Sequence, residues 1–553
     1  MSESELDKLN QRWQVLKNER SSWWQHWSEL SRYLLPRNGR YFVNDRDKGW
    51  QRNNTLYDST ASRALRVLAA GMMSGMTSPS RPWFKLAVSD PELMAQQNVK
   101  IWLNKVTEQV QDVLARSNAY RVLHMLYEEL GAFGTGAAVM ADDYQNILHL
   151  HPFTIGEYAI ATDWKGDVVT LYREFDKTAA EIVAEFGYEN CSTTVQNLVK
   201  NQQQDSWVTL RHAIEPRNER LANKRDAANM PFRSVYWETG NATKVLRESG
   251  FQSFPCLVPR WATQGGDIYG NSPGMEALGD VKQLQAQQFR KSQAIDYQAN
   301  PPLQLPSSMK NRENQLFPGG ISYYDAATAS QGVKTAFEVN LNLQYLLEDI
   351  QDVRGRINSA FYADLFMMIS EQNQNMTATE VAERHEEKML MLGPVVERLN
   401  NELLDPLLEN TFTRLLQGGL LPAPPPELQG HNLNIEYVSL LAQAQKAVAL
   451  NGIDRFVLNL GHIASIKPEV LDKFDADHWA DLYSDKLSID PELVIAGQQL
   501  ALIRQQRTQQ AQAAQQQTAL QQGSETLRNL GQTSTQSGNV AGDVLGMLQK
   551  NDT

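Results

Sequence analysis

Cysteine is nearly absent: Cys191 and Cys256 are the only two in 553 residues. Two such distant thiols cannot build a disulfide framework or a zinc cage, so both are expected to be packing residues. Long apolar runs are missing as well. The longest run of apolar and small residues, VLAAGMMSGM at 67–76, is ten residues between Arg66 and Thr77, far short of the ~20 that cross a bilayer. Positive charge is not in excess: 52 basic residues face 64 acidic ones, a formal net charge of −12. This argues against tight nonspecific gripping of DNA, which depends on neutralising phosphates, and any nucleic acid must be touched weakly or locally. The start, MSESELDKLN, is polar and acidic. Neither a secretory signal nor a transit peptide is expected there, and synthesis should be cytosolic.

Motifs for chemistry are missing too. No GxxxxGK[ST] loop occurs, which argues against an ATP-driven motor. Gly131-Ala-Phe-Gly134-Thr-Gly136 follows a helical pattern and precedes a strand pattern, the reverse of a dinucleotide loop. His149 and His151 share one strand face near Asp142 and Asp143; a metal site competes there with a partly exposed strand and hairpin turn, and the second reading fits better. His385 lacks the second histidine of a zinc protease, and no GxSxG elbow or Cys/His pair is present. No catalysis, metal or cofactor is called for.

What the sequence does hold is about three or four domains' worth of chain with 42% hydrophobic residues. Trp13, Leu16, Trp23, Trp27 and Leu30 recur at helical spacing, a core or interface stripe in preference to a base-stacking surface. The stretch LYDSTASRALRVLAAGMMSGMTSPSRPWFKL (56–86) predicts a helix capped by Asp58 or Ser59, notched by Gly71 and Gly75, and stopped at Pro79 and Pro82 before Trp83 and Phe84. Asp90-Pro91 opens a helix continued by Val99, Trp102, Val106, Val110 and Val113, and Asn118 is expected to cap the next. From 137 to about 248, AAVMADD, ILHLHPF, YAIAT, VVTLYREF, WVTLRHAI, FRSVYWE and TKVLRES predict an antiparallel sheet with a helix inserted near 178–187.

Ser272-Pro273 starts a long helix that must end by Asn300, before Pro301-Pro302. A second helix over 341–369 shows apolar spacing of three and four, the pattern of helix against helix. Between them lie about 38 turn-rich residues, a small module held at the end of two helices. SEQNQNM (370–376) is a polar loop, and Thr377-Ala-Thr-Glu380 is a capping box for a helix that Pro394 and Pro406 should kink. LPAPPPE (421–427) is a rigid linker, followed by a mostly helical region to about 500. Residues 498–522 contain 12 glutamines in 25, with Ala and Leu favouring helix, and the end beyond Gly523 is expected to be mobile.

Three stretches then carry a resemblance: YDSTASRALRVLAAGMMSGMTSPSRPWFKL (57–86), YGNSPGMEALGDVKQLQ (269–285) and MTATEVAERHEEKMLMLGPVVERLNNELLDPLLENTF (376–412). In this order and spacing they resemble the head-to-tail connector, or portal, proteins of short-tailed bacteriophages, over most of residues 1–420. Asn271 is the one departure, where many relatives carry a basic residue.

The resemblance implies a predominantly helical α+β portal fold that forms rings. Its parts would be a wing (1–274), a first stem helix (275–299), a clip (300–337), a second stem helix (338–369), a channel loop (370–376), a long kinked wing helix (377–416), a crown (417–500), a Gln-rich extension (501–522) and a tail (523–553). It implies a homo-dodecamer around double-stranded DNA at one capsid vertex, assembled in the host cytoplasm. Its partners would be the terminase large subunit, major capsid and scaffolding proteins, tail adaptor and tail proteins, and internal core or ejection proteins. Lys282, Arg290, Lys291, Gln372, Asn373, Gln374 and Asn375 are the candidates for weak channel contacts with DNA. Lys310, Asn311 and Arg312 are the candidates for docking a motor or adaptor. Gly71 and Gly75 would admit a neighbouring helix, while Pro79, Pro82, Trp83 and Phe84 would fix the exit from the notched helix. The rival readings are a membrane-active ejection protein, using GMMSG and the Trp-rich helix, and a packaging enzyme, which would need a phosphate loop or an acidic metal cluster.

Overall fold

The computed structural model describes residues 3–41, 56–94, 96–221, 224, 226–240, 244–306, 318–324, 334–335, 343–370, 392–428, 430–438, 456–487 and 500–514. They fall into two compact units, one of Met1–Ser89, Leu103–Pro424 and Gly430–Ile466, the other of Asp90–Trp102, Pro425–Gln429 and Lys467–Thr553. The described residues are predominantly helical, with sheets that are mostly antiparallel.

The N-terminal stripe becomes α1 (Glu3–Tyr33), with Trp13, Leu16, Trp27 and Leu30 buried. The glycine-notched stretch is α2 (Thr60–Met76), whose exit leads into β1 (Phe84–Val88). The Pro91 segment is two helices, α3 (Pro91–Met94) and α4 (Gln97–Arg116), where one was expected. α5 (Ala119–Phe133) ends at Gly134, whose φ of +76° supplies the left-handed residue that closes a helix. Asn118 does not cap α5: its side-chain oxygen accepts from the Leu150 N–H at 2.8 Å and its amide donates to the Leu150 carbonyl at 2.7 Å. The free α5 donor at Ala119 is met by Ser117 Oγ instead, at 3.1 Å.

The strand pattern resolves into two sheets. The first joins β2 (Ala137–Asp143) and β3 (Ile147–Phe153) to a later short strand. The second runs β4 (Tyr158–Thr162), β5 (Val168–Thr178), β6 (Trp207–Pro216), β7 (Phe232–Glu238) and β8 (Arg247–Phe251), antiparallel throughout. Strand alternation sends Tyr172, Ala213 and Trp237 to one face against Leu6, Leu9 and Trp13 of α1. Phe175 and Leu210 go to the other, covered by α6 (Ala179–Phe186) and by a helix the sequence reading missed, α7 (Thr193–Lys200). Both faces are buried, so the clean polar alternation of a half-exposed sheet is lost. β9 (Cys256–Leu257) completes the first sheet, and both cysteines are free and buried.

α8 (Pro273–Ala299) begins as the sequence dictates: Ser272 Oγ accepts from the Met275 N–H at 3.0 Å and Pro273 occupies the first turn. Then come β10 (Leu303–Pro306), β11 (Ile321–Tyr324) and β12 (Lys334–Thr335), a three-stranded sheet with β10 central, parallel to β11 and antiparallel to β12. The expected single helix over 341–369 is two, α9 (Leu343–Ala360) and α10 (Ala363–Ser370), broken where Tyr362 adopts a φ of +53°. The apolar spacing survives the break, because Val353, Ile357, Phe361 and Leu365 are all buried.

The Pro394 and Pro406 segment is a helix Gly393–Leu399, a π-helical turn Asn400–Leu404 and a helix Asp405–Gln417. Pro406 can give no N–H to the carbonyl four residues back, and the backbone widens there instead of breaking. The region after 417 is not all helical: β13 (Leu433–Tyr437) pairs antiparallel with β1, Leu86 opposite Ile435.

The second unit holds α3, a 3-10 turn Pro468–Lys473 and a helix Ala476–Leu487, and residues 500–514 of the glutamine-rich tract are helical. Arg504 and Asp477 form an ion pair there at 2.5 Å. Among the described residues no helix is long and apolar enough to cross a membrane.

Candidate functional site

α8 and α9 lie antiparallel, as their cross-links show: Arg356 meets Asp280 at 3.1 Å, and Gln287 meets Asp349 two turns further along. At the far end of α8, the Asn300 carbonyl accepts from Gly319 at 2.8 Å and Leu303 donates to Gly320 at 2.9 Å, which roots the three-stranded module on the helix pair.

Midway along α8, the helix pair is tied to α2 through one carboxylate. Asp58 Oδ1 accepts from the Thr60 N–H at 2.8 Å and from its hydroxyl at 2.6 Å, capping α2 in place of Ser59. Asp58 Oδ2 accepts from Arg354 of α9 at 2.7 Å and from Gln288 of α8 at 3.0 Å. Gln285 of α8 closes the node, its oxygen taking the N–H of Tyr57 at 2.7 Å and of Asp58 at 3.0 Å. Burial pushes the Asp58 carboxyl up, but the bonds from Thr60 and Arg354 outweigh it and hold it below the usual range. One side chain thus joins three helices.

The glycine notch answers to the same assembly. A Cβ on Gly71 would stand 2.2 Å from the Phe366 ring of α10, so α2 and α10 meet at a distance that only glycine permits. Gly75 is buried in the same helix. Trp83 and Phe84 are buried, Trp83 Nε1 donating to Tyr120 Oη at 3.2 Å, while Pro79 and Pro82 stand exposed at the turn.

A second node holds the π-helical turn. The Arg260 guanidinium, 3% exposed, grips Glu402 at 2.7 and 3.2 Å and donates to the Gly166 carbonyl at 2.8 Å. Arg398 reaches the same carboxylate at 3.2 Å. Sequence reading flagged neither this pair nor the buried glutamine Gln285. Gln285 sits among Gln283, Gln287 and Gln288, and nothing in the local sequence marks it out from them.

Of the predicted channel residues, Lys282 is held in an ion pair with Glu29 of α1 at 2.7 Å. Arg290 is exposed and Lys291 half-buried, and among the described residues neither has an acidic partner. Arg290 shares one helix face with exposed Gln283, Ala286 and Gln293. Gln372, Asn373, Gln374, Asn375, Lys310, Asn311 and Arg312 lie outside the described residues, as does the capping box at 377–380. His149 and His151 stack edge to face at 4.6 Å, but Asp142 is taken by Arg414 at 2.8 Å and Asp143 caps the hairpin turn. No metal-holding group of three or more such side chains is present among the described residues.

The family profile described as "Bacteriophage head to tail connecting protein" matches residues 6–495. The chain belongs to that family. It is 58% identical over 544 residues to the "Probable portal protein" of Bordetella phage BPP-1, covering 98% of each chain. It is 44% identical over 538 residues to the "Portal protein" of Salmonella phage epsilon15, covering 97% of each. The resemblance found in three sequence stretches therefore extends over nearly the whole length, and the chain is a connector, or portal, subunit. A solved chain from the virion of a native gene transfer agent particle has a TM-score of 0.36 at 12% identity, covering 82% of this chain and 98% of that one. A likeness at that level adds nothing to the assignment. Within the subunit, Asp58 sits in the first resembling stretch and Gln285 in the second, so the node where α2 meets the helix pair draws on both.

Proposed function

We propose that twelve copies of this subunit close into a ring at one capsid vertex and conduct double-stranded DNA during packaging and ejection. The observation that carries the reading is the correspondence, at 58% and 44% identity and nearly full length on both sides, with chains named portal proteins. α8 and α9 act as the stem, the sheet of β10, β11 and β12 as the clip, residues 1–274 and 377–416 as the wing and residues 417–500 as the crown. The ring docks the terminase large subunit at the clip through Lys310, Asn311 and Arg312, and later a tail adaptor at the same place. Major capsid and scaffolding proteins surround it in the host cytoplasm, with internal core or ejection proteins above. Its role is structural, with no reaction of its own.

The electrostatics suit a conduit. DNA that must slide in and later leave would be stalled by strong phosphate neutralisation, and the subunit's net charge of −12 opposes it. Arg290 and Lys291, near the exposed amides of Gln283 and Gln293, and Gln372 to Asn375 in the loop, would touch phosphates briefly and locally. The test is complementation of a phage lacking this chain. Wild-type protein should restore DNA-filled, tailed particles, whereas no protein should give empty, tailless shells. DNA-filled heads without it would reject the reading.

A further inference from the structure

The turn between β4 and β5 presents a tryptophan to solvent. Trp164 is 89% exposed, beside Asp163, Lys165 and Asp167. The turn itself is rigid: Asp163 Oδ1 accepts from the Lys165 N–H at 2.8 Å and the Asp167 N–H at 3.0 Å, and Gly166 is held from behind by the buried Arg260 at 2.8 Å. The Lys165 ammonium lies 5.3 Å from the ring centroid, and the rest of the indole faces solvent on a fixed turn, the usual form of a binding anchor, since tryptophan dominates interface hot spots and its exposure is otherwise unfavourable.

A complementary cleft lies at the other end of β4. It has a volume of about 140 Å³ and is lined by Met125, Pro152 and Phe153, with Glu129 at its base and Arg37 and Arg40 on it. A space of ~150 Å³ admits one six-membered ring, so the outer ring of an indole can enter this open cleft edge first. Met125 is 40% exposed, and Arg37 and Arg40 are exposed. Thioether and guanidinium groups are the favoured neighbours of an indole face. The charges also match. The tip carries two carboxylates and one ammonium, a net of −1, and the cleft carries two guanidinium groups over the one buried carboxyl of Glu129, a net of at least +1.

We infer that Trp164 of one copy seats in the Met125–Phe153 cleft of the next, with Asp163 and Asp167 toward Arg37 and Arg40. One copy cannot fill its own cleft, because about 17 Å of extended β4 separates the two and the tip is pinned at Gly166. A knob and a hole at different places on one chain make a head-to-tail contact, the kind that closes rings. The inference rests on the ring reading and specifies the contact that reading leaves open.

The test uses full-length chains. Lys165→Cys protein is mixed with Arg37→Cys protein, which leaves Trp164 and Met125 in place, under ring-forming conditions and treated with a short bis-maleimide cross-linker. Cys191 and Cys256 are buried, so background coupling is low. The expected result is at least about tenfold more covalent dimer in the mixture than with either variant alone. In parallel, Trp164→Ala should raise the concentration for half-assembly by about tenfold, the equivalent of about 1.4 kcal/mol, and Trp164→Phe should recover most of it. Closed rings that give no cross-link above the single variants, or that assemble from Trp164→Ala at the wild-type concentration, overturn the contact and leave the ring intact. Monomer at every concentration, measured by native mass, overturns both.

Discussion

Replacing Asp58 with alanine should loosen the joint between α2 and the helix pair. The substitution removes the cap on Thr60, worth about 1 kcal/mol, and strips Arg354 and Gln288 of their acceptor. Charge-assisted hydrogen bonds contribute about 1.5–3 kcal/mol, but the Arg354 side chain is 35% exposed and water screens part of this. A loss of about 2–3 kcal/mol is expected for Asp58→Ala and about 1 kcal/mol for Arg354→Ala. Because the two share one bond, the double variant should fall short of the sum by about 1 kcal/mol. A chain of this size need not unfold in one step, so the readout is hydrogen exchange of the first-turn amides of α2 and of α9 around Arg354, which reports local opening. Additivity within about 0.3 kcal/mol would refute the shared-carboxylate node. The acid dependence has a definite sign. The folded carboxyl titrates below its ordinary value, so its contribution is present above about pH 4 and fades as the pH falls through the lowered value.

Gly71→Ala should clash with the Phe366 ring and destabilise by about 1–3 kcal/mol, and adding Phe366→Leu should return part of the lost thermal stability. Arg260→Ala leaves the half-buried Glu402 with only Arg398 as a charged partner and should lower stability by about 2–3 kcal/mol; a change in midpoint matching a surface substitution would contradict that. Burial pushes Glu129 up to about 7 despite hydrogen bonds from Thr154, Asn38 and the Ile155 N–H. Its stabilising contribution is therefore complete below about pH 4.5 and lost as the pH rises through about 7, so thermal scans of Glu129→Gln should lack that part of the decline between these values.

Much of this was legible in the chain because local signals agreed with tertiary demands. Ser272-Pro273 and Asn300 bounded α8, and period-two runs marked seven strands in place, although β8 starts at Arg247, later than TKVLRES suggested. The misses share a cause: a distant partner claimed a residue whose neighbours suggested something else. Asn118 has the composition of a cap, yet Leu150 takes its side chain. Tyr362 interrupts a pattern whose apolar spacing continues unbroken, so periodicity alone gave one helix over α9 and α10. β13 is five residues in a region of helical composition and is fixed by pairing with β1, about 350 positions earlier. At the candidate site, the charge of Lys282 suggested a channel contact, and its pairing with Glu29, 253 residues away, was not visible in the sequence. Asp58 was visible only as a cap, because Arg354 lies 296 residues away.

The central claim is that this subunit builds a conduit, and single-particle electron microscopy of the purified chain, with native mass to count copies, tests it most directly. Closed twelvefold rings are expected, with an axial channel wide enough for duplex DNA and α8 and α9 beside it. A compact closed oligomer with no channel would contradict it.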